Sequence, residues 1–337
     1  MDIRVSVIGA GSWGTTVAAL AAQNAPTMLW SRRSALAEQI DQEHENGDYL
    51  AGYKLPTQLR ATADLERAVR DADLLVMGVP SQGFRSSLEA VKPYLRPWVP
   101  VISLSKGLEL GTRLRMSQLV EEVLPGHPVG ILTGPNLAKE ILAGHAAASV
   151  VAMDDHNISQ AVQKIFQAEL FRVYTNEDII GCELGGVLKN VIAIASGMAD
   201  GVGAGDNTRA AVITRGLSEV TRMGVALGGE PLTFSGLAGM GDLVATCISP
   251  QSRNRHVGQL LGEGNTIDEI IASMNMVAEG VKTSKVVMEL ANELGLDMPI
   301  ASEVYGCCHE GRSAAEAYAG LLRRGSGREM DGIAPAR

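Results

Sequence analysis

Ile3-Arg4-Val5-Ser6-Val7-Ile8-Gly9-Ala10-Gly11-Ser12-Trp13-Gly14 opens the chain, and its reading decides the rest. Residues 3–9 are mostly β-branched or apolar, as in a strand buried on both faces of a parallel sheet. A Gly-x-Gly-x-x-Gly turn follows, and an Ala-rich helix is expected from about Gly14 to Asn24. In such a turn Gly9 permits the tight bend. Gly11 lets the backbone approach a pyrophosphate, and Gly14 allows close helix–strand packing. Free N–H groups at the helix start, together with the helix dipole, favour the anion. The motif alone is weak, because glycine is common here. Placed between a strand and a helix, it specifies a dinucleotide site. Ser12 and Trp13 lie inside it; Trp13 either covers the cofactor or fills the contact between helix and loop.

A second strand is expected at Thr27–Trp30, completing a βαβ unit. For NAD, the end of this strand should carry an acidic residue to bind the ribose hydroxyls. The chain has Ser31-Arg32-Arg33 instead. Two guanidinium groups suit a 2′-phosphate, so NADP(H) is the preferred cofactor and NAD(H) remains possible. The bland alternative is a pair of solvated surface arginines.

Strands are further expected at Asp73–Val79, Val99–Leu104, Val129–Leu132, Ala148–Met153 and Phe171–Thr175. Near residue 180 the pattern becomes helical, over Glu183–Ala199, Thr208–Leu227, Ile267–Met274, Val281–Leu294 and Ala314–Leu321. The expectation is an α/β protein: an N-terminal Rossmann-type doubly wound sheet over residues 1–180, followed by an all-helical domain over 181–325. Residues 326–337 read as a frayed tail.

The 337 residues include 46% hydrophobic and 20% charged side chains, ordinary for a globular protein of about two domains. The net charge of −9 argues against nucleic acid or an anionic membrane as partner. Four cysteines without a CxxC pair read as a reduced, cytoplasmic chain. The first strand starts too early to leave room for a signal peptide. Charges and glycines interrupt the apolar runs, so no membrane span is expected. The six histidines show no metal spacing, and no metal is expected.

Three later segments are odd for a structural core. Lys189-Asn190 lies inside an otherwise apolar, Gly/Ala-rich helix, where a buried lysine is costly unless paired or used. It is either a general acid/base or a lysine reaching solvent from the helix edge. Asp242 follows a glycine-rich turn and opens a helical stretch, with Thr246 one turn on; Asp242 could simply be a helix cap. Ser252-Arg253-Asn254-Arg255 is a dense cluster of donors suited to a phosphate, or else a polar loop.

These segments join others in a fixed order: Gly9–Gly14, Ser105-Lys106-Gly107, Gly134-Pro135-Asn136-Leu137-Ala138, Leu188-Lys189-Asn190, Gly239–Leu243, Ser252-Arg253-Asn254 and Val277-Ala278-Glu279-Gly280. Together they resemble the NAD(P)-dependent glycerol-3-phosphate dehydrogenase family, from residue 3 to about residue 310. The resemblance implies reversible hydride transfer from NAD(P)H to dihydroxyacetone phosphate, giving sn-glycerol 3-phosphate for phospholipid synthesis. It implies Lys189 as proton donor and acceptor, Lys106 as a contact to cofactor and substrate, and Asp242 as the carboxylate positioning the lysines. Arg253 and Asn254 resemble the phosphate clamp, supported by Ser252, Thr246 and Asn190. Gly134, Asn136 and Ala138 line the site at a strand end, and Val277 and Glu279 resemble contacts to the far side of the dinucleotide. Asn136 departs from the serine common in bacterial members, which puts its substrate contact in doubt. A homodimer is compatible with the helical half. The competing functions are another dehydrogenase of this architecture acting on a different hydroxy acid or sugar phosphate, and a non-catalytic NADP sensor. Lys189 and the donor cluster disfavour the sensor.

Overall fold

The computed structural model describes residues 3–274, 278–323 and 325. They fall into two compact units, divided between Ile179 and Ile180.

The first unit is built on an eight-stranded sheet: β1 Val5–Ile8, β2 Thr27–Trp30, β3 Arg60–Thr62, β4 Leu74–Met77, β5 Val101–Ser103, β6 Val129–Thr133, β7 Ala147–Met153 and β8 Phe171–Asn176. The order is β3-β2-β1-β4-β5-β6-β7-β8. β1 to β6 are mutually parallel, and Val7 pairs with Leu29 on one side and Val76 on the other. Those three side chains are fully buried, as the continuous apolar reading of β1 requires. Connectivity steps outward from β1 to β3, then returns to β4 beside β1. That reversal opens the crevice where ligands of such sheets bind, beyond the carboxyl ends of the strands.

Two features depart from the sequence reading. β3 is an added edge strand of three residues, too short to leave an alternation pattern. β7 runs antiparallel to β6, with β8 parallel to β7, so the last two strands reverse the sheet's direction.

The second unit is helical. The Ile179–Gly201 helix is its spine, and Leu188, Val191, Ile192 and Ile194 on it belong to the unit's main core. Its length and apolarity would suffice to cross a membrane, but 94% of its apolar window is buried inside the protein, as in a core helix. Helices Asp206–Ala226, Asp242–Ile248, Arg253–Gly262, Ile267–Ser273, Glu279–Leu294, Pro299–His309 and Ala314–Arg323 follow. The Arg253–Gly262 and Pro299–His309 helices are not among those expected from the sequence pattern. Pro299 at the start of its helix fits a position where no intrahelical N–H bond is lost.

That last helix is capped from a distance. Glu219 is buried, and its carboxylate accepts the N–H groups of Ile300 (2.7 Å) and Ala301 (3.0 Å). Burial pushes its pKa up to about 7, because the two N–H bonds only partly offset desolvation. The folded state therefore holds this proton more tightly than the unfolded chain, whose value is near 4.5. This contribution to stability is complete below about pH 4.5 and declines as pH rises through about 7. Glu219→Gln should flatten that decline in urea unfolding. It should also cost about 1–3 kcal/mol, since its amide NH2 must face one of the two N–H donors. Parallel pH profiles for both proteins would show that Glu219 does not titrate there.

Candidate active site

In the first unit, Gly9 has φ of +113°, and a Cβ there would lie 2.5 Å from the Gly78 carbonyl oxygen. A Cβ on Gly14 would lie 2.1 Å from the Gly9 carbonyl oxygen, so helix Ser12–Ala21 must start hard against the turn. Around Gly11 nothing comes within 4 Å of a Cβ position, leaving the backbone open on that side. Gly11 caps the helix without a side-chain bond, so the first-turn N–H groups have no intrahelical acceptor. This cradle fits a pyrophosphate. Trp13 packs its ring against Phe171, 6.4 Å between centroids, which favours the packing role over the covering one.

Beyond β2, Arg32 and Arg33 are exposed. Arg33 forms an ion pair with Asp48 at 2.7 Å and lies 5.6 Å from the Tyr49 ring centre. Lys106 follows β5, and its Nζ donates to the Gly134 carbonyl beyond β6 at 2.9 Å. Asn136 accepts a hydrogen bond from Ser149 through Oδ1, while its buried Nδ2 has no partner among the described residues. Ala138 opens helix Ala138–Leu142. The ends of β1, β2, β5 and β6 thus carry the expected cofactor residues of this unit on one edge of the sheet.

In the second unit, Lys189 is only 5% exposed and Asp242 2%. Lys189 Nζ lies 3.1 Å from Asp242 Oδ1 and donates to Thr246 Oγ1 at 2.6 Å. Thr246 in turn donates to the Asp242 carbonyl at 2.6 Å. Lys189 is therefore not a lysine reaching solvent, and Asp242 uses its carboxylate on the ammonium rather than as a helix cap. A π-helical turn over Leu237–Gly241 leads directly into the Asp242–Ile248 helix and sets the side chain's direction. The Cys247 thiol is pushed up to about 12 by burial, so it adds no second negative charge beside the lysine.

The donor cluster is the start of the Arg253–Gly262 helix, not a loop. Ser252 caps it, accepting the Arg255 N–H at 3.2 Å. Arg253 is exposed at the first helical position. Asn254 is buried and largely committed: its amide donates to Asn190 Oδ1 at 2.9 Å and its Oδ1 accepts the Gly280 N–H at 2.9 Å. One Asn254 amide hydrogen and the positive end of this helix's dipole remain suited to an anion. Glu279 is half-buried at the start of helix Glu279–Leu294. Val277 lies outside the described residues.

Two supports escape sequence reading. Asn46, fully buried, donates to the Ala10 carbonyl (3.0 Å) and Thr15 Oγ1 (2.8 Å), tying the glycine turn to the Gly47–Leu50 helix that it caps. Asp200, on the lysine's own helix, pairs with Arg255 at 2.7 Å and Arg209 at 3.1 Å. Asn46 could have been suspected as a capping residue; its bond to Ala10 spans 36 positions and leaves no local trace.

Sequence models of the NAD-dependent glycerol-3-phosphate dehydrogenase N-terminus and C-terminus match residues 4–159 and 178–319. The chain belongs to this family. A glycerol-3-phosphate dehydrogenase [NAD(P)+] of Sphingopyxis alaskensis is 59% identical, covering 98% of this chain and 99% of that one. One of Mycobacterium tuberculosis is 54% identical, covering 98% and 97%. The crystal structure of a Coxiella burnetii glycerol-3-phosphate dehydrogenase is 36% identical, with a TM-score of 0.90, covering 96% and 99%. One unit thus carries a glycine turn that fits a pyrophosphate, and the other a buried, paired lysine on the helix that packs against Arg253–Gly262.

Proposed function

We propose that the chain catalyses reversible reduction of dihydroxyacetone phosphate to sn-glycerol 3-phosphate with NAD(P)H. The observation that carries this reading is Lys189, buried yet held by Asp242 and Thr246. A lysine so placed costs the fold stability unless its charge is used. The pyrophosphate cradle at Gly9–Gly14 fits the dinucleotide. Gly9, Gly11, Ser12, Gly14, Arg32, Arg33, Lys106, Ala138, Arg253, Val277 and Glu279 would hold it, with Trp13 bracing the turn against Phe171, and the reduced nicotinamide, when bound, supplies the hydride.

The chain's own residues do the rest. Arg253, the positive end of its helix's dipole and the spare hydrogen of Asn254 bind the substrate phosphate, with Ser252 and Asn190 bracing them. That remote binding energy fixes the ketone for reaction. The Lys189 ammonium stabilises the charge developing on the ketone oxygen and delivers a proton to it. Asp242 and Thr246 hold the ammonium in place and keep its remaining hydrogen directed at substrate. Lys106, Gly134 and Asn136 contribute polar contacts from the sheet edge.

Initial rates with dihydroxyacetone phosphate and unphosphorylated dihydroxyacetone test the reading. The phosphorylated ketone should be strongly preferred with either reduced cofactor, and comparable rates with both ketones would refute it. Arg253→Ala should raise KM for dihydroxyacetone phosphate by about 10- to 100-fold, the size of a lost charge-assisted hydrogen bond, with a smaller change in kcat. An unchanged KM would remove Arg253 from the clamp. The reading includes a cytoplasmic setting, supported by four buried thiols with no disulfide. It also includes a homodimer, supported by exposed Leu232 and Ile248 on the helical unit and measurable by sedimentation velocity.

A further inference from the structure

The end of β2 lacks the acidic residue that binds ribose hydroxyls in NAD-specific sites, yet a carboxylate reaches the same place from elsewhere. Asp48 sits in the short helix Gly47–Leu50, and its Oδ2 lies 2.7 Å from Arg33 Nη1. This placement is built. Asn46 caps the short helix through the Tyr49 N–H (3.2 Å) and anchors it to the Ala10 carbonyl in the glycine turn (3.0 Å). Gly47 N–H donates to Gln39 Oε1 at 3.1 Å, fixing the same turn to the helix that Arg33 caps. Tyr49 presents its ring to the Arg33 guanidinium. Arg33 and Asp48 are both about half-exposed, so their pairing is solvent-screened and contributes little to stability. The other carboxylate of this segment, Glu45, is already engaged by Lys54 at 3.0 Å.

We propose that Asp48 determines the balance between NADPH and NADH by competing with the 2′-phosphate for Arg33. This rests on the reading that Arg33 faces the adenosine ribose. A 2′-hydroxyl can donate to Asp48 while the ion pair stays intact. A 2′-phosphate must take Arg33 from Asp48 and then sit beside an uncompensated carboxylate. Between a dianion and a carboxylate sharing one guanidinium, repulsion under water-like screening corresponds to about a five- to tenfold penalty. Arg33 therefore recruits the phosphorylated cofactor and Asp48 moderates that preference, leaving a site open to both.

The test is calorimetric binding of adenosine 2′,5′-bisphosphate and 5′-AMP to the full chain, needing no turnover. Asp48→Asn should raise the preference for the bisphosphate about five- to tenfold over the unmodified protein, and the gain should shrink as salt rises. Arg33→Ala should lower the same preference by at least about tenfold. If Arg33→Ala lowers it and Asp48→Asn leaves it unchanged or reduces it, the competition is wrong while the Arg33 reading stands. If Arg33→Ala has no effect, both fall. Asp48→Ser, which also removes the charge, must reproduce the Asp48→Asn result; a preference that follows only one of the two would overturn the electrostatic account.

Discussion

Replacing Lys189 with alanine is expected to lower kcat by at least about a hundredfold, the scale of a lost general acid. In the proposed mechanism the change removes both the proton donor and the cation that stabilises the developing oxyanion. It does a second thing. Asp242, 2% exposed, is left as a buried carboxylate with its ammonium gone. Removing one partner of such a pair costs about 3–5 kcal/mol, so lost activity alone would not separate chemistry from folding. The double variant Lys189→Met with Asp242→Asn makes the separation. Both charges are gone, Met fills much of the lysine stem's volume, and the Asn amide can donate to Thr246 Oγ1 in the lysine's place. Its unfolding free energy should recover most of the single variant's loss, whereas kcat should stay at least about a hundredfold down. Stability that recovers together with activity would show that the pair serves the fold and that the proton comes from another group.

Lys189 could be picked out from sequence because a charge inside an apolar helical run contradicts its surroundings. Its partners could not be derived in the same way. Asp242 and Thr246 show helical spacing to each other, but the 57 positions separating Lys189 from Thr246 are crossed only in the folded unit. The β1 turn was legible because strand, glycines and helix are contiguous and each carries a local constraint. β3 was not, because Arg60–Thr62 owes its strand character to pairing with β2. Nor does strand direction leave any mark in composition, so the reversal at β7 was invisible. The clamp helix illustrates a different limit. Ser252-Arg253-Asn254-Arg255 is the capped start of a helix, and polarity alone reads as a loop. Ser252 as a cap was the available clue. Arg33 was legible as a cation, while its engagement with Asp48 depended on the Asn46 anchor.

Gly258→Ala is the second substitution expected to have a large effect, and here two physical terms predict opposite signs. Alanine in a helix interior is favoured over glycine by about 1 kcal/mol, so propensity alone predicts stabilisation. Contact predicts the reverse. A Cβ on Gly258 would lie 1.9 Å from the Ile194 carbonyl oxygen, and one on Gly197 would lie 1.9 Å from the Arg255 carbonyl oxygen. Gly201 and Gly262 meet at the next turn, so the clamp helix and the lysine helix touch backbone to backbone along one seam. The obstacle is main chain on both sides, which no rotamer change relieves; the helices must separate. Overpacking of this kind costs about 1–3 kcal/mol and more where relaxation is blocked, enough to overturn the propensity gain. Separation also pulls Asn254 from Asn190, a bond of 2.9 Å, and strains the half-buried Asp200–Arg255 pair. The expected result is a lower unfolding free energy together with a KM for dihydroxyacetone phosphate raised about tenfold or more, because the anion-binding helix start shifts relative to Lys189. Binding of adenosine 2′,5′-bisphosphate, for which Arg32 and Arg33 of the first unit are the proposed contacts, should change little. A more stable Gly258→Ala protein with normal KM would mean that helix propensity wins at this seam and that the close approach does not position the clamp.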